Sequence, residues 1–209
     1  MFTGIIEETG EVRDVREVGD GRRLVVSAEV VLSDVVVGAS ICVDGCCLTV
    51  VEHGEDEQGS WFGVDAVPET LDRTTLGGIT PGEPINLERS MAADGRFGGH
   101  IVQGHVDTVT VVEAIHEHLD GSKRITFRLP SSLSGQIVVK GSVCLDGVSL
   151  TVAGLGEGSF DVAVVPHTLH VTTLGCLRAG DSVNVEVDVV ARYVAGLVSR
   201  LDSMAGGQG

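Results

Sequence analysis

Cys47 and Ser149 hold the same place in a segment that the chain writes twice. The first copy runs Val37-Gly38-Ala39-Ser40-Ile41-Cys42-Val43-Asp44-Gly45-Cys46-Cys47-Leu48-Thr49-Val50, and the second runs Val139-Lys140-Gly141-Ser142-Val143-Cys144-Leu145-Asp146-Gly147-Val148-Ser149-Leu150-Thr151-Val152. A thiol and a hydroxyl are both nucleophile-type groups, and a neighbouring base or a shifted pKa would activate either one. His105 stands where the other repeat has Ile5, so one half gains a proton-transfer group at a matched site. Thr49 and Thr151 recur beside the Cys/Ser pair, and Lys140 puts a charge where the first copy has Gly38. Each of these has a plainer reading as well. A strand cysteine is often a small buried hydrophobe, and strand threonines are ordinary. Cys42 and Cys144, matched across the repeat, read as core, and His100 reads as structural. His116, His118 and His170 read as surface, and Asp44 and Asp146 as turn residues, since Asp before Gly is the turn's own chemistry.

The elements that must position these groups are strands. Asp-Gly between two apolar, β-branched runs is a strong hairpin signal, and each copy has it. Phe2 to Ile6 reads as an opening strand, Glu11 to Val18 alternates, and Arg22 to Ala28 follows as another strand. Val30 to Val36 suits a short helix with Leu32 and Val36 inward. Gly54 to Gly59 reads as a polar loop before the strand Ser60 to Val67, and Pro68 to Gly77 as a loop with one helical turn, because Pro cannot donate to a ladder. A strand from Gly82 to Leu87 closes the unit.

The second half replays the first. Val67-Pro68-Glu69-Thr70-Leu71 returns as Val165-Pro166-His167-Thr168-Leu169, and Gly82, Asn86 and Glu88 return as Gly180, Asn184 and Glu186. The offset of about 100 residues far exceeds a solenoid period and marks a duplicated domain. Each half holds about six short strands with turn signals every 8–12 residues, an all-β pattern of small barrels or sandwiches. After Asp188 the period changes. Val190, Val194, Leu197, Val198 and Leu201 recur at helical steps, giving an amphipathic C-terminal helix and a frayed Gly206–Gly209 end. The divisions are 1–97, 98–188 and 189–209.

Composition narrows the function. A net charge of −16 sets nucleic acid aside, because such partners need clustered Lys and Arg, and it disfavours anionic membrane. No stretch nears the roughly 20 apolar residues of a membrane span. An opening without a basic start or apolar run, with five cysteines, reads as a cytoplasmic protein with reduced thiols. No Cys-x-x-Cys occurs and the seven histidines are scattered, so a structural zinc site is not expected. Gly98-Gly99-His100 lacks the strand-to-helix context of a phosphate loop.

An ordered set of motifs carries a family resemblance over essentially the whole chain. Met1-Phe2-Thr3-Gly4-Ile5-Ile6, Cys47-Leu48-Thr49-Val50, Glu69-Thr70-Leu71, Gly98-Gly99-His100-Ile101-Val102-Gln103-Gly104-His105-Val106-Asp107 and Asp146-Gly147-Val148-Ser149-Leu150-Thr151-Val152 together resemble the riboflavin synthases of α-subunit type, a lumazine-binding domain repeat family. The resemblance implies tandem six-stranded Greek-key β-barrels followed by a C-terminal α-helix that packs a homotrimer. It implies dismutation of two 6,7-dimethyl-8-ribityllumazine molecules by four-carbon transfer, giving riboflavin and 5-amino-6-(ribitylamino)uracil without cofactor or metal. It also raises association with lumazine synthase. The chemistry suits a duplicated binder, because two related pockets can hold two copies of one substrate face to face. The donor's C7 methyl is acidic through delocalisation into the ring, so a modest general base suffices.

By that resemblance the first pocket takes Gly4-Ile5-Ile6, Cys47-Leu48-Thr49 and Asp65-Ala66-Val67-Pro68-Glu69-Thr70. The second takes Gly104-His105-Val106, Lys140, Ser149-Leu150-Thr151 and Ala163-Val164-Val165-Pro166-His167-Thr168. The active site lies between the N-terminal barrel of one subunit and the C-terminal barrel of its neighbour, with Cys47, His105, Ser149, Thr151 and Asp188 as catalytic candidates. Cys47, or a water that it positions, adds at C7 of the acceptor. Ser149, Thr151 or His105 moves protons at the donor, and Asp188 orients a ring nitrogen. Two positions depart from the family: Asp44, where Asn is common, and His167, where Glu is frequent. A non-catalytic lumazine- or flavin-binding antenna protein is the alternative. A flavin oxidoreductase would need a pyridine-nucleotide unit that the motifs lack.

Overall fold

Alternating apolar residues line the inside of two closed barrels. The computed structural model describes residues 1–206, with side chains as far as Leu201. The first barrel contains β1 (Glu8–Val18), β2 (Gly21–Ser27), β3 (Ser40–Val43), β4 (Cys46–Asp56), β5 (Gly59–Ala66) and β6 (Pro84–Arg89), closed in the order β1-β2-β5-β4-β3-β6. A six-residue helix, α1 (Pro68–Arg73), leaves β5 with Pro68 in its first turn, where the missing N–H costs nothing. The second barrel repeats this with β7 (Thr108–Glu117), β8 (Lys123–Arg128), β9 (Ser142–Leu145), β10 (Val148–Gly156), β11 (Ser159–Val164), α2 (Pro166–Val171) and β12 (Ser182–Val187). The helix α3 (Val189–Gly206) follows.

Register slips between Val12 and Asp14, Val50 and Glu52, Val112 and Ala114, and Val152 and Gly154, at matched places in the two halves. Such bulges bend a strand and raise its twist, which a six-stranded barrel needs in order to close. One core gathers Leu24, Phe62, Leu76 and Leu87; the other gathers Ile125, Phe127, Phe160 and Leu174, with the two phenyl rings stacked 5.5 Å apart.

The repeated Asp-Gly turns join the barrels. Both residues of each turn have positive φ (43° and 82° in each copy), the primed geometry that Asp-Gly favours. The two turns meet back to back: a Cβ on Gly45 would lie 2.8 Å from the Gly147 nitrogen. Around them runs a reciprocal set of hydrogen bonds. Asn86 Nδ2 donates to the Asp146 carbonyl (2.9 Å) and Asn184 Nδ2 to the Asp44 carbonyl (2.8 Å). Asp44 Oδ1 accepts from the Asn86 N–H, and Asp146 Oδ1 from the Asn184 N–H, both at 2.7 Å. Each Asn Oδ1 takes a backbone N–H from the opposite half, Thr173 and Thr75 respectively. The turn reading of Asp44 and Asp146 therefore holds, and both side chains are also buried in the joint.

Three local expectations are corrected. Phe2 to Ile6 is not a strand; it makes one bridge, Phe2 to Val102, and then departs because Gly4 has φ +75° and the Thr3 and Gly4 N–H groups donate to Glu88 instead of to a ladder. Val30–Leu32 forms only a 3₁₀ turn, with Val31 buried and Val36 63% exposed, because the turn is too short for the wider helical face. Residues 54–59 are not an open loop: β4 and β5 pair down to Asp56 and Gly59, where Arg13 donates to the Asp56 carboxylate and to the Gln58 and Gly59 carbonyls. The C-terminal helix forms as expected. The end expected to fray lies, past Gly206, outside the described residues.

Candidate active site

The strand after each turn presents one face to its core and the other outward. Leu48 and Leu150 point into the barrels, while Cys47 and Ser149 lie half-buried and Thr49 and Thr151 exposed on the outer face. What covers those outer faces is the segment preceding the other barrel. The Cys47 N–H donates to the Gly104 carbonyl (2.9 Å), and the Ser149 N–H to the Gly4 carbonyl (2.8 Å). Val106 packs against the first core and Ile6 against the second. The arms are exchanged. Gly104-His105-Val106 belongs with Cys47, and Gly4-Ile5-Ile6 with Ser149, the reverse of the grouping that the resemblance implies. A linear repeat gives no sign of such a crossing, because each arm has the same relation to both turns.

Buried carboxylates hold the arms. Glu186 accepts from the N–H groups of Gln103 (2.8 Å), Gly104 and His105 (both 2.9 Å). Glu88 accepts from the Thr3 N–H and hydroxyl (2.7 Å each) and the Gly4 N–H (2.9 Å). Burial pushes both carboxyls up, Glu186 to about 6, and the donated hydrogen bonds oppose it. Sequence pairing of Glu88 with Glu186 marked these residues as repeated, but not as anchors.

Between the Cys47 edge and the His105 arm lies a cavity of about 370 Å³. Cys46, Cys47, Glu69, Thr70, Arg73, Thr74, Gly104, His105, Val106 and Asp107 line it. Its size suits a small planar ligand. Thiol, imidazole, hydroxyl and guanidinium groups converge there, with Arg73 paired to Glu69 at 2.9 Å. Asp65 is committed elsewhere, to a two-point pair with Arg23 (2.6 and 2.9 Å) that holds its carboxyl below the usual range. Ala66 and Val164 are core residues, whereas Ala163 is exposed on β11, Val67, Pro68, Val165, Pro166 and His167 are exposed at the starts of α1 and α2, and Thr168 is half-buried.

At the Ser149 edge, His100 comes forward. Its Nδ1 lies 2.7 Å from Ser149 Oγ, while its Nε2 is buried with no hydrogen-bond partner among the described residues. Burial lowers its pKa, against the opposing pull of Asp188, so the neutral imidazole is favoured. Gly98-Gly99 lets this contact form, since a Cβ on Gly99 would sit 2.2 Å from the Thr3 carbonyl oxygen. The structural reading of His100 thus missed a hydroxyl–imidazole couple. Asp188 itself accepts from the Val190 N–H (2.9 Å), capping α3, and lines a separate 680 Å³ groove between α3 and residues Ser134 to Ser142. Lys140 is exposed at φ +69°, at the far end of the β9–β10 pair from Ser149. The five catalytic candidates therefore form no single cluster: Cys47 meets His105, Ser149 meets His100, and Asp188 acts on His100 through its charge.

Two closed barrels, each with its binding edge covered by the other's arm, define a tandem ligand-binding barrel protein. The profile of the lumazine binding domain matches it twice, over residues 3–90 and 103–188. Riboflavin synthase of Mycobacterium tuberculosis (strain ATCC 25618 / H37Rv) is 45% identical over 203 residues, covering 95% of this chain and 98% of that one. Riboflavin synthase of Bacillus subtilis (strain 168) is 41% identical over 194 residues, covering 93% and 88%. The chain belongs to the riboflavin synthase family. Among solved structures, LumP complexed with riboflavin superposes with a TM-score of 0.81 at 25% identity, over 90% of this chain and 99% of that one. LumP complexed with 6,7-dimethyl-8-(1'-D-ribityl) lumazine gives 0.79 at the same identity and coverage.

Proposed function

We infer that the chain is a riboflavin synthase, converting two molecules of 6,7-dimethyl-8-ribityllumazine into riboflavin and 5-amino-6-(ribitylamino)uracil. The observation that carries this is 41–45% identity to riboflavin synthases over more than nine-tenths of the chain. The test is incubation with the lumazine alone, without reductant or metal. Riboflavin and the aminouracil should appear in equal amounts. Tight binding without product would favour the antenna reading that the LumP neighbours motivate, and product only with added reductant would refute both.

The chemistry divides between two kinds of pocket. In the Cys47 pocket the thiol, or a water that it positions, adds at C7 of the acceptor, with His105 at hand for the proton. At the Ser149 edge neutral His100 draws on the hydroxyl, and the pair takes a proton from the donor's C7 methyl, with Thr151 beside them on the same strand face. Asp188 supports His100 electrostatically as it charges. Each general acid–base contribution is worth about 10²–10⁴-fold. Cys47→Ser should lower turnover at least tenfold, on the order of 1.4 kcal/mol in barrel-bound transition-state stabilisation; full turnover by stopped assay would rule out thiol addition.

We further propose the domain divisions 1–97, 98–188 and 189–209, and a homotrimer built on α3. Val190, Val194, Leu197, Val198 and Leu201 are 50–65% exposed along that helix, a stripe wanting cover. In such an assembly the donor and acceptor pockets would meet between subunits. Chains ending at Asp188 should sediment as soluble monomers and make no riboflavin, whereas an active trimer after truncation would refute the role of α3. The five cysteines are all free, which suits a cytoplasmic protein. Association with lumazine synthase rests on the family resemblance alone.

A further inference from the structure

The two arms are pinned by matched carboxylates, but the charge that reinforces each pin comes from a different place. In the first half Arg89, at the end of β6, forks onto Glu7 of its own arm (Nη2 to Oε2 2.6 Å, Nε to Oε2 2.9 Å). The corresponding position in β12 is Val187, which has no charge to give. There the guanidinium reaches in from α3. Arg192 Nη1 donates to Gln103 Oε1 (2.8 Å), and Nη2 donates to both Asp107 carboxylate oxygens (2.9 Å each) and to the His105 carbonyl (3.3 Å). Asp107 is fixed in turn by the Val187 N–H (2.8 Å). Both partners of this pair are mostly buried, with 27% and 20% of their side chains exposed. A planar fork with four acceptor atoms on three residues sets the orientation of a loop more firmly than a point charge does.

We propose that Arg192 is a positioning residue that fastens the C-terminal helix to the His105 arm and so sets the geometry of the Cys47 pocket. It touches neither thiol nor imidazole. It acts through the Gln103–Asp107 backbone, on which His105 and Val106 are carried over the Cys47 edge. The Ser149 edge, whose arm is pinned by Arg89, should not feel it. Helix and pocket are therefore coupled within one chain, whatever α3 does between chains. This rests on the reading that both edges bind lumazine-like ligands.

The discriminating readout is an equilibrium titration of the full-length protein with riboflavin, the unreactive product, resolved into two sites per chain. Arg192→Gln should weaken one site about tenfold, the scale of a lost charge-assisted contact acting through a second residue, and leave the other within about twofold. Arg192→Lys should recover less than half of that loss, because an ammonium cannot make the fork. Asp107→Asn should mimic Arg192→Gln, and the double variant should be no worse than either single one, as expected for one shared interaction. Sedimentation should show the wild-type assembly throughout. Equal weakening of both sites, or a change of assembly that accounts for the loss, would overturn the proposal, and so would two unchanged sites. Failure of the wild-type protein to bind riboflavin at any site would instead bring down the functional reading beneath it.

Discussion

Gly104→Ala should reduce riboflavin formation more than a hundredfold while both barrels stay folded. Gly104 has φ +78°, and a Cβ there would lie 2.5 Å from Cys47 Cβ and 2.8 Å from the Cys47 nitrogen. The backbone conformation alone costs an L-residue about 1–2 kcal/mol, and the overlap is with a strand, which cannot step aside. The arm must lift. Lifting it breaks the Cys47-to-Gly104 hydrogen bond and strains the Glu186 anchor, for a total on the order of 3–5 kcal/mol. Because the lifted segment carries His105 and Val106, the pocket wall goes with it. Gly38→Ala is the matched control. Gly38 also has positive φ (+94°), but nothing lies within 4 Å of its Cβ position, and the second repeat already tolerates Lys140 there. That variant should lose only about 1 kcal/mol of stability and none of its turnover. Thermal melts with turnover assays decide the matter: equal behaviour of the two alanine variants would contradict the exchanged-arm account.

Asp44→Asn should stabilise the protein at pH 8 by about 1–2 kcal/mol and make its dependence on pH less steep. Asp44 and Asp146 are both buried where the barrels join. Burial first, then the charge of Asp146, pushes the Asp44 carboxyl well above its ordinary range, and burial raises Asp146 to about 7. A carboxyl with a raised folded pKa stabilises the fold when protonated. For Asp146 the full contribution is therefore present below the unfolded value near 4, fades as pH climbs from there through about 7, and is gone above it, and Asp44 weakens the fold in the same direction as pH rises. Glu186, raised to about 6, and Glu88 push the same way. Asn keeps an oxygen for the Asn86 N–H and tolerates the φ of +43°. Urea midpoints at pH 5, 6.5 and 8 should show wild type declining and Asp44→Asn declining less steeply, with Asp146, Glu186 and Glu88 supplying the slope that remains, and with Asp94→Asn, an exposed acid lost, tracking wild type. An Asp44→Asn slope as steep as that of wild type would refute the role of the buried pair.

Much of the architecture could be read from the chain because it is local. Asp-Gly specifies its own turn, alternation specifies a two-faced strand, and a 100-residue repeat specifies two of whatever one half forms. Val190, Val194, Leu197, Val198 and Leu201 state a helix by their spacing alone. What was not legible depends on which half lies against which. Phe2–Ile6 has the composition of a strand, yet its Thr3 and Gly4 N–H groups go to Glu88, 85 and 84 positions away, whose carboxylate no propensity scale anticipates. His100 looked structural because its partner, Ser149, is 49 residues distant. Arg192 lies off the apolar stripe of its helix, and its partners Gln103 and Asp107 are 89 and 85 residues away. Cys47, Ser149 and His105 were found because the repeat offers an internal comparison: a changed residue at a matched position stands out against its twin. Asp188 was named by resemblance, and its place as the α3 cap would have been a sound expectation from an Asp followed by a helical period.

The exchange of arms also bears on symmetry. A single half could complete its binding edge only with a second copy of itself, and that pair would have two identical faces by necessity. Any residue placed in one would appear in the other. Joining the halves in one chain removes that constraint without disturbing the fold, because each arm still reaches the same kind of edge. Position 47 can then hold sulfur while 149 holds oxygen, and position 105 can hold an imidazole while 5 stays aliphatic. A reaction in which two identical molecules must play unlike parts needs such a broken symmetry, and the covalent link between the halves is what permits it.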